Sequence, residues 1–65
     1  MQIKTWQART NKKVTLVELA ERTGLGKSTL NNIENEKNSP TMAQMEAIAK
    51  ALNVRITDLF ESDYK

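Results

Sequence analysis

Cysteine and histidine are absent from the 65 residues, proline occurs once, glycine twice, and tryptophan, tyrosine and phenylalanine once each. Without thiols or imidazoles there is no disulfide framework, no Cys/His zinc site, no thiol nucleophile and no imidazole base. Nowhere do about 18 apolar residues follow one another, the run that a bilayer-spanning helix needs. The start, Met1-Gln2-Ile3-Lys4-Thr5-Trp6, has no apolar stretch of signal-peptide length, so the expectation is a soluble, cytoplasmic protein without a membrane partner. A domain near this size buries only about 60% of the surface its unfolded chain exposes, which leaves one small core and no deep pocket. Lone carboxylates and lysines offer no base held by an orienting partner, so no enzyme, metal, cofactor or small-molecule substrate is expected.

With 38% hydrophobic and 28% charged residues, the composition is too apolar for a disordered chain. The net charge of +2 is an average over two unlike parts. Residues 1–40 carry Lys4, Arg9, Lys12, Lys13, Arg22, Lys27 and Lys37 against Glu18, Glu21, Glu34 and Glu36. Residues 41–65 carry Lys50, Arg55 and Lys65 against Glu46, Asp58, Glu61 and Asp63. The basic surplus therefore lies in the first two thirds, a placement that suits an anionic partner and equally an ordinary solvated surface.

Gly24, Gly26 and Pro40 are the only strong breakers, and no alternation of β-branched with polar residues persists. The pattern is helical. Ile3 to Asn11 reads as the first helix, with Ile3 and Trp6 facing inward and Lys12 and Lys13 at its C-terminal end. Thr15 and Glu18 form a capping box that opens Leu16 to Arg22, and Lys27 to Asn35 follows as the third helix, N-capped by Gly26. Thr41 and Gln44 repeat the box after Pro40 and open Met42 to Leu52, where Met42, Met45, Ile48, Ala49 and Leu52 define one buried face. Asn53 suits a left-handed stop, and Thr57 is placed to cap a fifth helix from Asp58 to about Ser62.

The connection between the second and third helices is the most informative stretch. Ala20 is small, Gly24 sits in the turn, and Leu25, Leu30 and Ile33 return on one face with Leu19. Two helices crossing at about 90 to 120° need a small side chain at closest approach and a corner residue that tolerates positive φ. The fold class expected is all-α: a compact five-helix bundle with a helix-turn-helix, one domain over residues 1–62 with a short tail at 63–65 and no effector domain after Phe60.

From Ile3 to Phe60 the chain resembles the DNA-binding domain of phage repressor and Cro proteins and of the broad XRE family, the lambda-repressor-like fold. The residues that carry the resemblance are Arg9, the run from Val14 to Leu25, Ser28-Thr29-Leu30-Asn31-Asn32-Ile33-Glu34, Ser39-Pro40-Thr41, Ile48 to Val54, and Leu59-Phe60. It implies that the third helix enters the major groove of double-stranded DNA, presenting Lys27, Ser28, Thr29, Asn31 and Asn32 to bases, with Lys27, Ser28 and Asn32 at the family's reading positions. It implies phosphate contacts from Thr15 and Leu16 and from Asn35, Lys37, Asn38 and Ser39. It also implies an ion pair between Arg9 and Glu34 that fixes the third helix against the first, although Arg9 could instead reach a phosphate. A homodimer on a palindromic site follows from the short reach of one copy, with Phe60 and Tyr64 as candidate contacts, unless Phe60 is core and Tyr64 frayed.

Two positions depart from the family pattern. Leu16 stands where glutamine is usual, and Glu36 where glycine is usual, which places an acid near phosphate and a left-handed cost on the backbone unless Asn35 takes that conformation. These departures suit an alternative reading, a protein-binding helical module such as an antitoxin-type component. The polar face of the third helix also suits plain solvation, and Asn/Ser residues before proline suit a simple turn. Gly24 to Thr29 imitates the end of a phosphate-binding loop, but Glu21 occupies the first glycine position and no buried strand precedes it. Single-stranded RNA would need aromatic stacking platforms that three scattered aromatics do not provide.

Overall fold

In the computed structural model, which describes residues 1–65, helix boundaries follow local capping chemistry. Helix α1 spans Thr5–Asn11, α2 Leu16–Thr23, α3 Lys27–Glu34 and α4 Met42–Leu52. At the start of α2 the Thr15 hydroxyl oxygen accepts the Glu18 N–H at 3.1 Å, and Glu18 Oε1 accepts the Thr15 N–H at 3.0 Å. Thr41 and Gln44 make the same reciprocal pair at 3.0 Å before α4. Both boxes satisfy first-turn donors that would otherwise be orphaned. Gly26 sits at the N-cap of α3 in extended conformation, with no side chain to cap it.

The helix ends use left-handed residues. Gly24, at φ 73°, closes α2 with its N–H on the Ala20 carbonyl, and since a side chain there would meet nothing within 4 Å, its backbone angle is what calls for glycine. Lys13, Glu36 and Asn53 hold φ of 58°, 57° and 55° after α1, α3 and α4. Each terminates its helix with the paired bonds of a Schellman motif, for example Lys13 N–H to Thr10 O at 3.0 Å and Val14 N–H to Arg9 O at 3.1 Å. Asn adopts this conformation readily, whereas lysine and glutamate are strained in it. Lys13 is exposed and makes no side-chain hydrogen bond, so Lys13→Gly should stabilise the fold by about 0.5 to 1 kcal/mol, the left-handed penalty less the extra chain entropy of glycine. Thermal melting checks this, and a lower midpoint would refute it.

Ten residues form the core: Ile3, Val14, Leu19, Leu30, Ile33, Met45, Ile48, Ala49, Leu52 and Leu59. Leu19, Ile48 and Leu59 are wholly inaccessible, and fully burying such a side chain contributes about 1.5 to 3 kcal/mol. Helix α2 packs against α3 and α4, and α1 lies across α3 and α4. Leu25 is half-buried at the corner between α2 and α3, its N–H donating to the Thr23 hydroxyl oxygen at 3.2 Å.

Four sequence expectations are corrected. The fifth helix does not form: Ile56–Leu59 is a single 3-10 turn, in which the Asp58 carboxylate accepts the Arg55 N–H at 3.0 Å, and Thr57 lies inside the turn. The chain then extends through Phe60–Glu61 (strand β2), which pairs antiparallel with Gln2–Ile3 (strand β1), Ile3 opposite Phe60. The architecture is thus four α-helices with a two-residue ladder, and the bundle is not strictly all-α. Second, α1 begins at Thr5, because Ile3 belongs to β1 and the Lys4 N–H donates to the Leu59 carbonyl at 2.7 Å.

Third, Trp6 is 52% exposed and lines a surface groove with Gln7, Lys12, Val54 and Asp58. The inward positions of α1 belong to buried Thr5 and half-buried Ala8, whose small side chains let the helix lie close to the core. Fourth, Met42 is 67% exposed in the first turn of α4, beyond the edge of the core that Met45, Ile48, Ala49 and Leu52 reach.

Candidate nucleic-acid interface

Helix α3 has one face committed to the interior. Leu30 and Ile33 are each 1% exposed, and the next residue, Glu34, is held by Arg9. The guanidinium makes a bidentate pair, Nε to Oε2 at 2.7 Å and Nη2 to Oε1 at 3.1 Å, while Nη1 donates to the Val14 carbonyl at 3.0 Å. The side chains retain only 12% and 5% of their accessible surface, so the planar fork is largely shielded from water and fixes α3 against α1. Arg9 is therefore engaged in the interior; the third acceptor, Val14 O, carries no sequence signal because it is backbone.

The opposite face of α3 is polar. Ser28 and Asn32, four residues apart, lie on one outward line, with Ser28 exposed and Asn32 half-buried. Lys27 is exposed in the first turn and has no carboxylate in salt-bridge range, the three ion pairs of the protein being Arg9–Glu34, Arg22–Glu18 and Lys65–Glu61. Asn31 is exposed but its Oδ1 accepts from Asn35 Nδ2 at 3.2 Å, and Thr29 is half-buried on the flank. Of the five candidate readers, only Asn31 has a side-chain partner; Lys27, Ser28, Thr29 and Asn32 have none, and of these Lys27, Ser28 and Asn32 stand at the family's reading positions.

Residues 7–59 match a family model described as helix-turn-helix. The chain belongs to the helix-turn-helix family of XRE and phage-repressor type. It is 37% identical over 49 residues, 75% of its length, to the immunity repressor protein of Bacillus phage phi105, and it spans about a third (34%) of that relative.

The phosphate contacts that the resemblance implies fall at the start of α2 and in the loop after α3, and the structure defines which groups there are free. Thr15 accepts the Glu18 N–H, which leaves its hydroxyl proton to donate outward. Leu16 is half-buried against the core and offers its first-turn N–H alone. Glu18, half-buried beside them, is held below the ordinary carboxylate range by the backbone and hydroxyl of Thr15, with Arg22 adding attraction.

After α3, the N–H groups of Asn35, Glu36 and Lys37 are all consumed by the Asn31, Ile33 and Asn32 carbonyls. The loop's free donors are the Lys37 ammonium, the side chain of Asn38, the hydroxyl of Ser39 and the backbone N–H groups of Asn38 and Ser39, all on exposed residues. The left-handed residue is Glu36, with Asn35 at φ −91°, so the family's usual glycine is replaced at the strained position itself. Its carboxylate Oε1 accepts the Ile3 N–H at 3.1 Å, a contact across 33 residues that no local pattern discloses.

Proposed function

We propose that the chain is a sequence-specific double-stranded-DNA-binding transcriptional regulator, with α3 seated in the major groove. The observation that carries this reading is the pairing of an unpartnered outward line, Ser28 and Asn32, joined by the free Lys27 in the first turn, with a buried Arg9–Glu34 fork that holds the inner side of the same helix. Lysine donates to guanine O6 and N7, asparagine pairs bidentately with adenine, and serine serves either. Thr29 and Asn31 border the same edge and complete the base-facing set. Thr15 and the Leu16 N–H on one side, and Asn35, Lys37, Asn38 and Ser39 on the other, contact phosphates, Asn35 through its side chain only.

The Cα extents are 31 × 22 × 19 Å, shorter than the roughly 34 Å that separates successive major-groove faces on one side of B-DNA. One copy therefore covers one half-site, and specificity calls for a homodimer on a palindrome. Tyr64, 98% exposed, is available to such a contact, whereas Phe60 is half-buried against the core. With DNA as its partner the protein works in the cytoplasm.

Titration of a labelled duplex at about 50 and 200 mM salt tests the reading. Four to six neutralised phosphates, at a log–log slope near −0.9 each, imply an affinity loss of about 10² to 10³-fold between the two conditions. Absence of salt-dependent binding to any duplex at the lower concentration would reject it in favour of a protein-binding module of antitoxin type.

A further inference from the structure

Glu36 does more than occupy a loop. The Lys4 N–H points at the Leu59 carbonyl, and successive N–H groups of a strand point to opposite sides, so the Ile3 N–H faces away from β2 at an edge with no further strand. Ile3 is 8% exposed, and a backbone donor on so buried a residue is nearly always paired with an acceptor. Glu36 supplies it from the far side of the molecule's sequence, at 3.1 Å. The same residue is the left-handed corner of the motif that ends α3, where the following Lys37 N–H closes on Asn32 O at 2.9 Å. The backbone that carries the carboxylate is therefore continuous with Lys37, Asn38 and Ser39.

We propose that Glu36 is a positioning residue, a clasp that ties strand β1 to the exit of α3 and so holds the Lys37–Ser39 loop in the shape that meets phosphate. This rests on the DNA reading above and deepens it. The acid, expected from sequence to repel DNA, has its carboxylate turned to the protein's own N-terminal strand, and the two roles make opposite predictions. Glu36→Gln keeps an oxygen acceptor and removes the charge; Glu36→Ala removes both. Alanine and glutamine face the same left-handed backbone, so comparing them isolates the acceptor.

Amide hydrogen exchange on the free protein reads the clasp directly. In Glu36→Ala, Ile3 should exchange at least about tenfold faster and Lys37 should follow it, with the Leu19 and Ile48 amides unchanged as references, while Glu36→Gln stays within about threefold of wild type. On a mixed-sequence duplex at about 50 mM salt, Glu36→Ala should bind about fivefold or more weakly, and Glu36→Gln as tightly as wild type or tighter. Ile3 protection that survives in Glu36→Ala, or tighter binding by both variants, would overturn the proposal. If the wild type bound no duplex, the DNA reading and the purpose assigned to the clasp would both fall, whereas the exchange arm would still report whether the clasp exists.

Discussion

Alanine at either Arg9 or Glu34 should destabilise the fold by about 3 to 5 kcal/mol, the cost of leaving one partner of a buried pair uncompensated. A chain of this length has about 3 to 10 kcal/mol to lose, and each kcal/mol moves the melting midpoint by about 4 to 8 °C, so either variant would be close to unfolding under ordinary conditions. The geometry accounts for the size. Glu34→Ala strands a guanidinium that is 12% exposed and keeps only the Val14 carbonyl, and Arg9→Ala strands both a carboxylate that is 5% exposed and that carbonyl. Arg9→Lys preserves charge but cannot supply three donors in a fixed plane, so it should lose a large part of the same stability. The double replacement Arg9→Met with Glu34→Leu should recover much of the loss, because apolar residues of similar volume leave no buried charge. Melting of the alanine variants within a degree or two of wild type would show that the pair does not hold α3.

The Arg9–Glu34 pair, 25 residues apart, was legible only through the family resemblance, whereas the other features were legible as far as their own local signals reach. Thr15 with Glu18, Thr41 with Gln44, Gly24 and Asn53 announce their helix ends within four residues, because caps are local chemistry. The exposed line on α3 follows from the spacing of Leu30 and Ile33, which places Ser28 and Asn32 outward. The ladder between β1 and β2 joins Ile3 to Phe60, and two-residue strands are too short to show any periodicity. That ladder is also what replaced the fifth helix, since pairing with Ile3 extends the chain where Asp58 and Glu61 suggested another helical turn. Trp6 misled for a related reason: hydrophobicity alone places it inside, but close packing of α1 depends on the small Thr5 and Ala8 meeting residues distant in sequence. Glu36 looked like a flaw at its own position and acquired a partner only when Ile3 came beside it.

Replacing Lys27, Ser28 and Asn32 together by alanine should abolish most sequence discrimination while leaving general DNA affinity nearly intact. Each well-made base contact discriminates by about 1 to 3 kcal/mol, so three lost contacts should reduce the ratio of specific to non-specific affinity by at least about 10²-fold. The fold should survive the change. Alanine is the best helix former, a lysine in the first turn opposes the helix dipole, and the bond that Asn32 gives the loop comes from its backbone carbonyl, which alanine retains. Melting should therefore hold or rise, which separates lost recognition from lost structure. The phosphate contacts proposed at Thr15, Lys37, Asn38 and Ser39 should persist in this variant, so the salt slope should change by no more than about one contact. Lys37→Ala should do the reverse, weakening every duplex alike without altering sequence preference. Selection from a random duplex library compares the two patterns in one experiment. Wild type should enrich palindromic sites and the triple variant none; enrichment of the same sites by both would place the reading side chains elsewhere on the molecule.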